Sequence, residues 1–153
     1  MRSTRLSVKL SHWAAILLFL GSCTFSQAGS EGSMKLIAQL VWGTNDEKSP
    51  DSNHKPVDEA TLKKLQDLPL KWKSYFEVKR QDLEIPVNES RNTQLNKCEL
   101  KIKYLGDSKI EITPYGNGKE LQTRLHKLPK GETLILGGNA ENKTSWLVIL
   151  KRQ

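Results

Sequence analysis

After residue 28 the chain holds two histidines, His54 and His126, and one cysteine, Cys98. With a short acidic loop, these are the groups that could do chemistry. In "NDEKSPDSN" (residues 45–53) Asp46, Glu47 and Asp51 stand among amides, and such oxygens can ligate calcium. The spacing is not that of an EF-hand loop and lacks its glycine and closing glutamate, so a solvated loop is expected. His54 follows in a proline-flanked stretch. With Asp46, Glu47 and Glu77 it makes up the scattered carboxylate and imidazole set of a hydrolase, if the fold gathers them in space. His126, between Leu125 and Lys127, reads as a surface residue. Cys98 occupies an apolar step of "KCELKIKYL" and reads as a small buried hydrophobe. A reactive thiolate needs an electropositive, partly exposed setting instead. The HExxH, CxxC and GxSxG patterns do not occur. No catalytic, cofactor-binding or metal-binding residue is therefore assigned, and no cofactor is implied.

The paired glycines of "KGETLILGGNAENKTSWLVILKR" (residues 130–152) raise the question of a phosphate loop. A Walker loop needs a Lys-Ser/Thr step entering a helix, and a dinucleotide fingerprint needs Gly-x-Gly-x-x-Gly opening one. Neither spacing is present, and "WLVIL" downstream favours a strand. Gly137, Gly138 and Asn139 are thus expected to turn the chain of a hairpin, since they tolerate positive φ. Its flanking runs are apolar on both faces, which places the hairpin in the middle of a packed sheet. Among the aromatics, Trp72 and Trp146 fall within apolar strands and are expected in the core. Tyr75 and Tyr115 are expected nearer the surface.

These side chains must be carried by mostly β elements. "MKLIAQLVWG" (34–43) reads as a strand. Asp58 is a plausible N-cap for a helix over 58–68, with Leu62, Leu65 and Leu68 as its stripe and Pro69 as its stop. "LKWKSYFEVKR" (70–80) alternates as a half-buried strand. "LEIPV" (83–87) is a short extended edge piece because of Pro86, and "NESRN" (88–92) is a turn. "CELKIKYLGDSKIEITPYG" (98–116) is an antiparallel hairpin about "GDS". Leu121, Leu125 and Leu128 suggest a ragged strand. About seven or eight short strands with one helix predict a mainly β fold, an antiparallel β-sandwich or open barrel with one short α-helix.

The N-terminus reads differently. Arg2, Arg5 and Lys9 precede "WAAILLFLG" (13–21) and then "SQA" (26–28), the order of a secretory signal peptide. The apolar run is shorter than the ~20 residues of a membrane span. The expected organisation is a signal peptide over 1–28, a short linker over 29–33 and a single β-rich domain over 34–153. "LGSC" (20–23) has the form of a lipobox, so lipidation at Cys23 is the alternative, and a membrane is implied only in that case. The whole chain carries 24 Lys+Arg against 17 Asp+Glu. Three cations and no anions lie before Gly29, so the rest carries 21 minus 17, or +4. This excess is spread along the chain without a basic stripe, which argues against nucleic acid as a partner. With Cys23 removed, Cys98 has no internal disulfide partner. Asn88 and Asn142 have the form of N-glycosylation acceptors.

The order of "LVWGTNDEK…KPVD", "LKWKSYFEV" and "LPKGETLILGGNAENKTSWLVILK" resembles a group of small secreted bacterial proteins with no assigned activity. The resemblance covers most of the chain after the leader. It implies export and brings no catalytic residues. The functional expectation is a secreted or periplasmic, non-enzymatic binding or accessory protein of the cell envelope. Its partner would be a protein or envelope component, accepted for example as a strand added at the "LEIPV" edge. The rival is a secreted hydrolase using Asp46, Glu47, Glu77 and His54.

Overall fold

The computed structural model describes residues 32–116, 118–139 and 144–153. The expected signal peptide, Cys23, most of the linker and Asn142 lie outside the described residues. In chain order the elements are β1 (Ser33–Thr44), β2 (Lys55–Pro56), α1 (Glu59–Gln66), β3 (Ser74–Pro86), β4 (Ser90–Leu95) and β5 (Cys98–Gly106). There follow β6 (Lys109–Gly116), β7 (Lys119–Glu120), β8 (Arg124–Lys127), β9 (Thr133–Asn139) and β10 (Ser145–Arg152).

Two antiparallel sheets pack face to face. The first has the order β2-β3-β1-β10-β9 and the second the order β4-β5-β6-β7. β8 pairs with β6 over Lys109–Ile112, beside the part of β6 that β7 covers at Tyr115 and Gly116. Between the sheets lies a core of Met34, Leu36, Ala38 and Leu40 from β1, Leu100, Ile102 and Tyr104 from β5, and Ile110 and Ile112 from β6. The fold is thus a mainly β, sandwich-like domain with one short helix, as the alternating segments predict.

The helix explains the double-sided apolar strands. Leu62 and Leu65 of α1, with Leu68, Leu70 and Trp72, pack with Val41, Tyr75, Leu147 and Ile149 on the outer face of the first sheet. β1 and β10 are covered on one side by the second sheet and on the other by α1, so neither side of "LVW" or "WLVIL" needs polar residues. Asp58 caps α1 by accepting a bond from the Thr61 backbone N–H at 2.9 Å. Asp107 (φ 49°) and Ser108 (φ 63°) both sit in the left-handed region between β5 and β6, the geometry of a two-residue hairpin turn.

Several expectations are corrected. Gly137, Gly138 and Asn139 do not form the turn. They are strand residues of β9, opposite Leu147, Trp146 and Ser145 of β10. Gly137 is required for space: a Cβ there would collide with Leu147 Cδ2. β10 is an interior strand, but β9 is the edge of its sheet. Residues 70–73 precede the strand, and "LEIPV" is continuous with it, Pro86 being the last residue of β3. Residues 90–95 are strand, leaving only 87–89 as turn. Tyr75, expected outside, is 5% exposed beneath the helix side of the sheet, whereas Trp146, expected inside, is 39% exposed.

Candidate functional site

The two sheets are joined on one side and apart on the other. On the joined side the 87–89 turn carries the chain directly from β3 to β4, and Thr93 Oγ1 donates to Gln81 Oε1 at 2.7 Å. At one end Arg152, buried at the finish of β10, donates through Nη1 to Leu128 O at 2.9 Å and Ser108 Oγ at 2.8 Å. Those bonds tie the first sheet to the β5–β6 turn and the end of β8. On the other side lie β9, the edge of the first sheet, and β7 and β8, the margin of the second.

Between these margins runs a groove of about 1070 Å³. Leu134 and Leu136 of β9 with Val148 of β10 form one wall, and Cys98, Leu100 and Ile112 form the other. Leu134 and Leu136 pack against the core yet are only half-buried. Trp146 stands at the mouth. It belongs to a cross-strand row with Trp42 and Phe76, the Trp42 ring centre lying 6.5 Å from Trp146 and 6.0 Å from Phe76. The volume lies at the upper end of the roughly 300–1,000 Å³ typical of ligand pockets.

The margin of the second sheet is inverted. Arg124 is opposite Ile112 and His126 opposite Ile110, and directly opposed residues share a face of a sheet. β8 therefore turns Arg124 and His126 toward the groove and leaves Leu125 outside, 61% exposed. His126 is not the surface residue its neighbours suggest. It is half-buried, and its Nε2 is buried with no hydrogen-bond partner. Lys97, in the β4–β5 turn, also lines the groove, and among the described residues none of the lining ones is acidic. Cys98 is half-buried at the wall rather than sealed in the core, and burial pushes its thiol pKa up, which keeps it protonated and unreactive.

The residues expected to do chemistry are engaged separately. Asp46 accepts from Thr44 Oγ1 at 3.1 Å. Glu77 accepts from Gln39 Nε2 and lies 3.8 Å from Arg80 Nη1. Glu47 has no such contact. His54 Nδ1 is 2.7 Å from Ser49 Oγ, and its Nε2 is 3.6 Å from Asp51 Oδ2. Ser49 Oγ also accepts from the Asp51 backbone N–H, and Asp51 from that of Asn53, so this trio knits a turn. The Asn53 backbone bond, reinforced by its side chain and by His54, holds the Asp51 pKa below the usual carboxylate value against the opposing effect of desolvation. The His54 ring packs edge-on against Trp42, 6.2 Å away. Among the described residues no three His, Cys, Asp or Glu side chains converge on a common metal position.

The "LEIPV" edge is open in part. β2 pairs only with Glu77 and Phe76, so beyond them β3 has a strand partner on the β1 side alone among the described residues. Lys79, Arg80, Asp82 and Glu84 are exposed along it, the usual protection of a free edge.

No family model matches this chain, and neither a curated protein nor a solved structure matches it.

Proposed function

We propose that this is an exported, non-enzymatic binding protein of the cell envelope whose ligand enters the groove between the sheets. The observation that carries the reading is the groove itself. The apolar side chains Leu134 and Leu136 of the edge strand β9 and Trp146 of β10 are left part-exposed around a large concave space instead of being packed shut. The basic, apolar and small-residue order of residues 1–28 supports export. Lipidation at Cys23 would hold the same domain at a membrane.

A neutral, environment-sensitive fluorophore such as N-phenyl-1-naphthylamine tests the groove. Its emission should rise on adding the purified protein and saturate at one site. Leu136→Glu should abolish this, while Leu125→Glu on the outer face of β8 should not, both variants keeping the wild-type circular dichroism. No emission change at any protein concentration refutes the groove as a binding site. Mass spectrometry of protein from a secreting host should show Gly29 first; a retained Met1 would refute export.

A further inference from the structure

We infer that the groove takes a long-chain carboxylate, its acyl chain between the two sheets and its head group at Arg124, beside His126 on β8. This rests on the groove being the binding site.

Three observations converge on that chemistry. The first is the inversion of β8. A strand at the margin of a sandwich buries apolar side chains on its inner face and shows polar ones outside. β8 does the reverse, presenting Arg124 and His126 on the side of Ile110 and Ile112 while Leu125 faces solvent. A local rule broken this way marks a site, because the arrangement gives up burial of Leu125 with no compensation inside the domain.

The second is charge. Among the described residues neither Lys97 nor Arg124 makes an ion pair, and no carboxylate lines the groove. The acidic groups of the second sheet lie outside the groove lining. Glu120 accepts from Tyr115 and lies 3.7 Å from Lys101 Nζ, and Glu111 stands opposite the outward Leu125. The groove is thus a mainly apolar channel whose charged lining residues, among those described, are Lys97 and Arg124, with Asn96 and Gln122 as neutral polar groups. It attracts an anion, repels a cationic amphiphile, and offers in Arg124 a planar fork suited to a carboxylate.

The third is His126. A buried nitrogen with no hydrogen-bond partner costs free energy unless something satisfies it. His126 shares the groove-facing side of β8 with Arg124, and its ring must turn for the buried Nε2 to meet a ligand oxygen there. The rest of the lining, Leu100, Ile112, Leu134, Leu136 and Val148, is hydrocarbon and suits an acyl chain.

Displacement of N-phenyl-1-naphthylamine separates this inference from the reading beneath it. Palmitate, hexadecanol and hexadecyltrimethylammonium, each below its aggregation limit, compete for the bound fluorophore. Palmitate should displace it at a midpoint roughly tenfold or more below that of hexadecanol, the factor expected of a charge-assisted hydrogen bond, with the cationic competitor weakest. Arg124→Gln should erase the preference for palmitate and leave fluorophore binding intact. Lys101→Gln, a cation on the outer face, should change neither. Arg124 is exposed, so Arg124→Gln should keep the wild-type circular dichroism, and Arg124→Lys should retain part of the preference. His126→Phe should weaken palmitate without weakening the fluorophore. If the fluorophore binds but the three competitors act alike, or the preference survives Arg124→Gln, the carboxylate assignment falls and the groove reading stands. If the fluorophore does not bind, both fall.

Discussion

Gly137→Ala puts the packing of the outer sheet face to a direct test. The added Cβ would collide with Leu147 Cδ2 and lie 3.3 Å from the Trp146 carbonyl oxygen. Two effects oppose each other. Removing a glycine from a strand interior stabilises by about 0.5–1 kcal/mol, because the unfolded chain loses freedom. Overpacking a filled site costs about 1–3 kcal/mol. Leu147 is 2% exposed and shares its cluster with Val41, Ile149 and Ile135, so its side chain has little room to turn away. The collision wins, and Gly137→Ala should lose about 1–2 kcal/mol, read as a lower urea midpoint at unchanged slope. Leu147→Ala alone should cost about 2–5 kcal/mol. In the double variant the new methyl enters space the leucine has vacated, so the combined loss should fall short of the sum by about 1 kcal/mol or more. A neutral or stabilising Gly137→Ala, or a cycle additive to within about 0.5 kcal/mol, refutes the claim that Leu147 dictates glycine here.

Asp58→Ala should cost about 1 kcal/mol at neutral pH through loss of the N-cap. Burial raises the Asp58 pKa, but the bonds from Thr61 Oγ1 and its backbone N–H, helped by Lys151 and Arg80, outweigh it and leave the carboxylate below its usual value. A lowered folded-state pKa means stabilisation present in full above the unfolded value and lost as pH falls through the folded one. The gap between variant and wild-type urea midpoints should therefore shrink between pH 7 and pH 3; a gap independent of pH contradicts the cap assignment. Cys98 should alkylate with iodoacetamide more slowly than free glutathione at pH 8, because burial raises its pKa, and more slowly still with palmitate present. Mass spectrometry reads both, and a rate indifferent to palmitate would place the ligand away from the Cys98 wall.

Local signals were legible in the residues themselves. Asp58 and the leucines behind it mark the helix, because a cap and a stripe involve neighbours within a few positions. The alternation from Cys98 to Tyr115 about "GDS" marks the hairpin for the same reason. What depended on distant partners was not legible. Gly137 looks like a turn residue until Leu147 is placed beside it. Tyr75 and Trp146 exchange their expected environments because α1 covers one face of the first sheet, while the second sheet stops short of the Trp146 end. The groove-facing pair Arg124 and His126 was missed because "RLHK" has no orientation until the register with Ile110 and Ile112 is known. A basic residue two positions before a histidine, with the apolar residue between them, is the one local hint of an inside-out strand.

The pairing of β1 with β10 sets the order in which the domain can form. Leu36 stands opposite Arg152, and Trp42 opposite Trp146, so the middle of the first sheet is built from the first strand and the tenth. While the chain is being synthesised, β1 can find β3 but not β10, and the helix side of the sheet lacks Leu147 and Ile149. Closure must bring together segments more than a hundred residues apart, a slow step dominated by non-local contacts. The protein therefore stays incomplete until its tenth strand has left the ribosome.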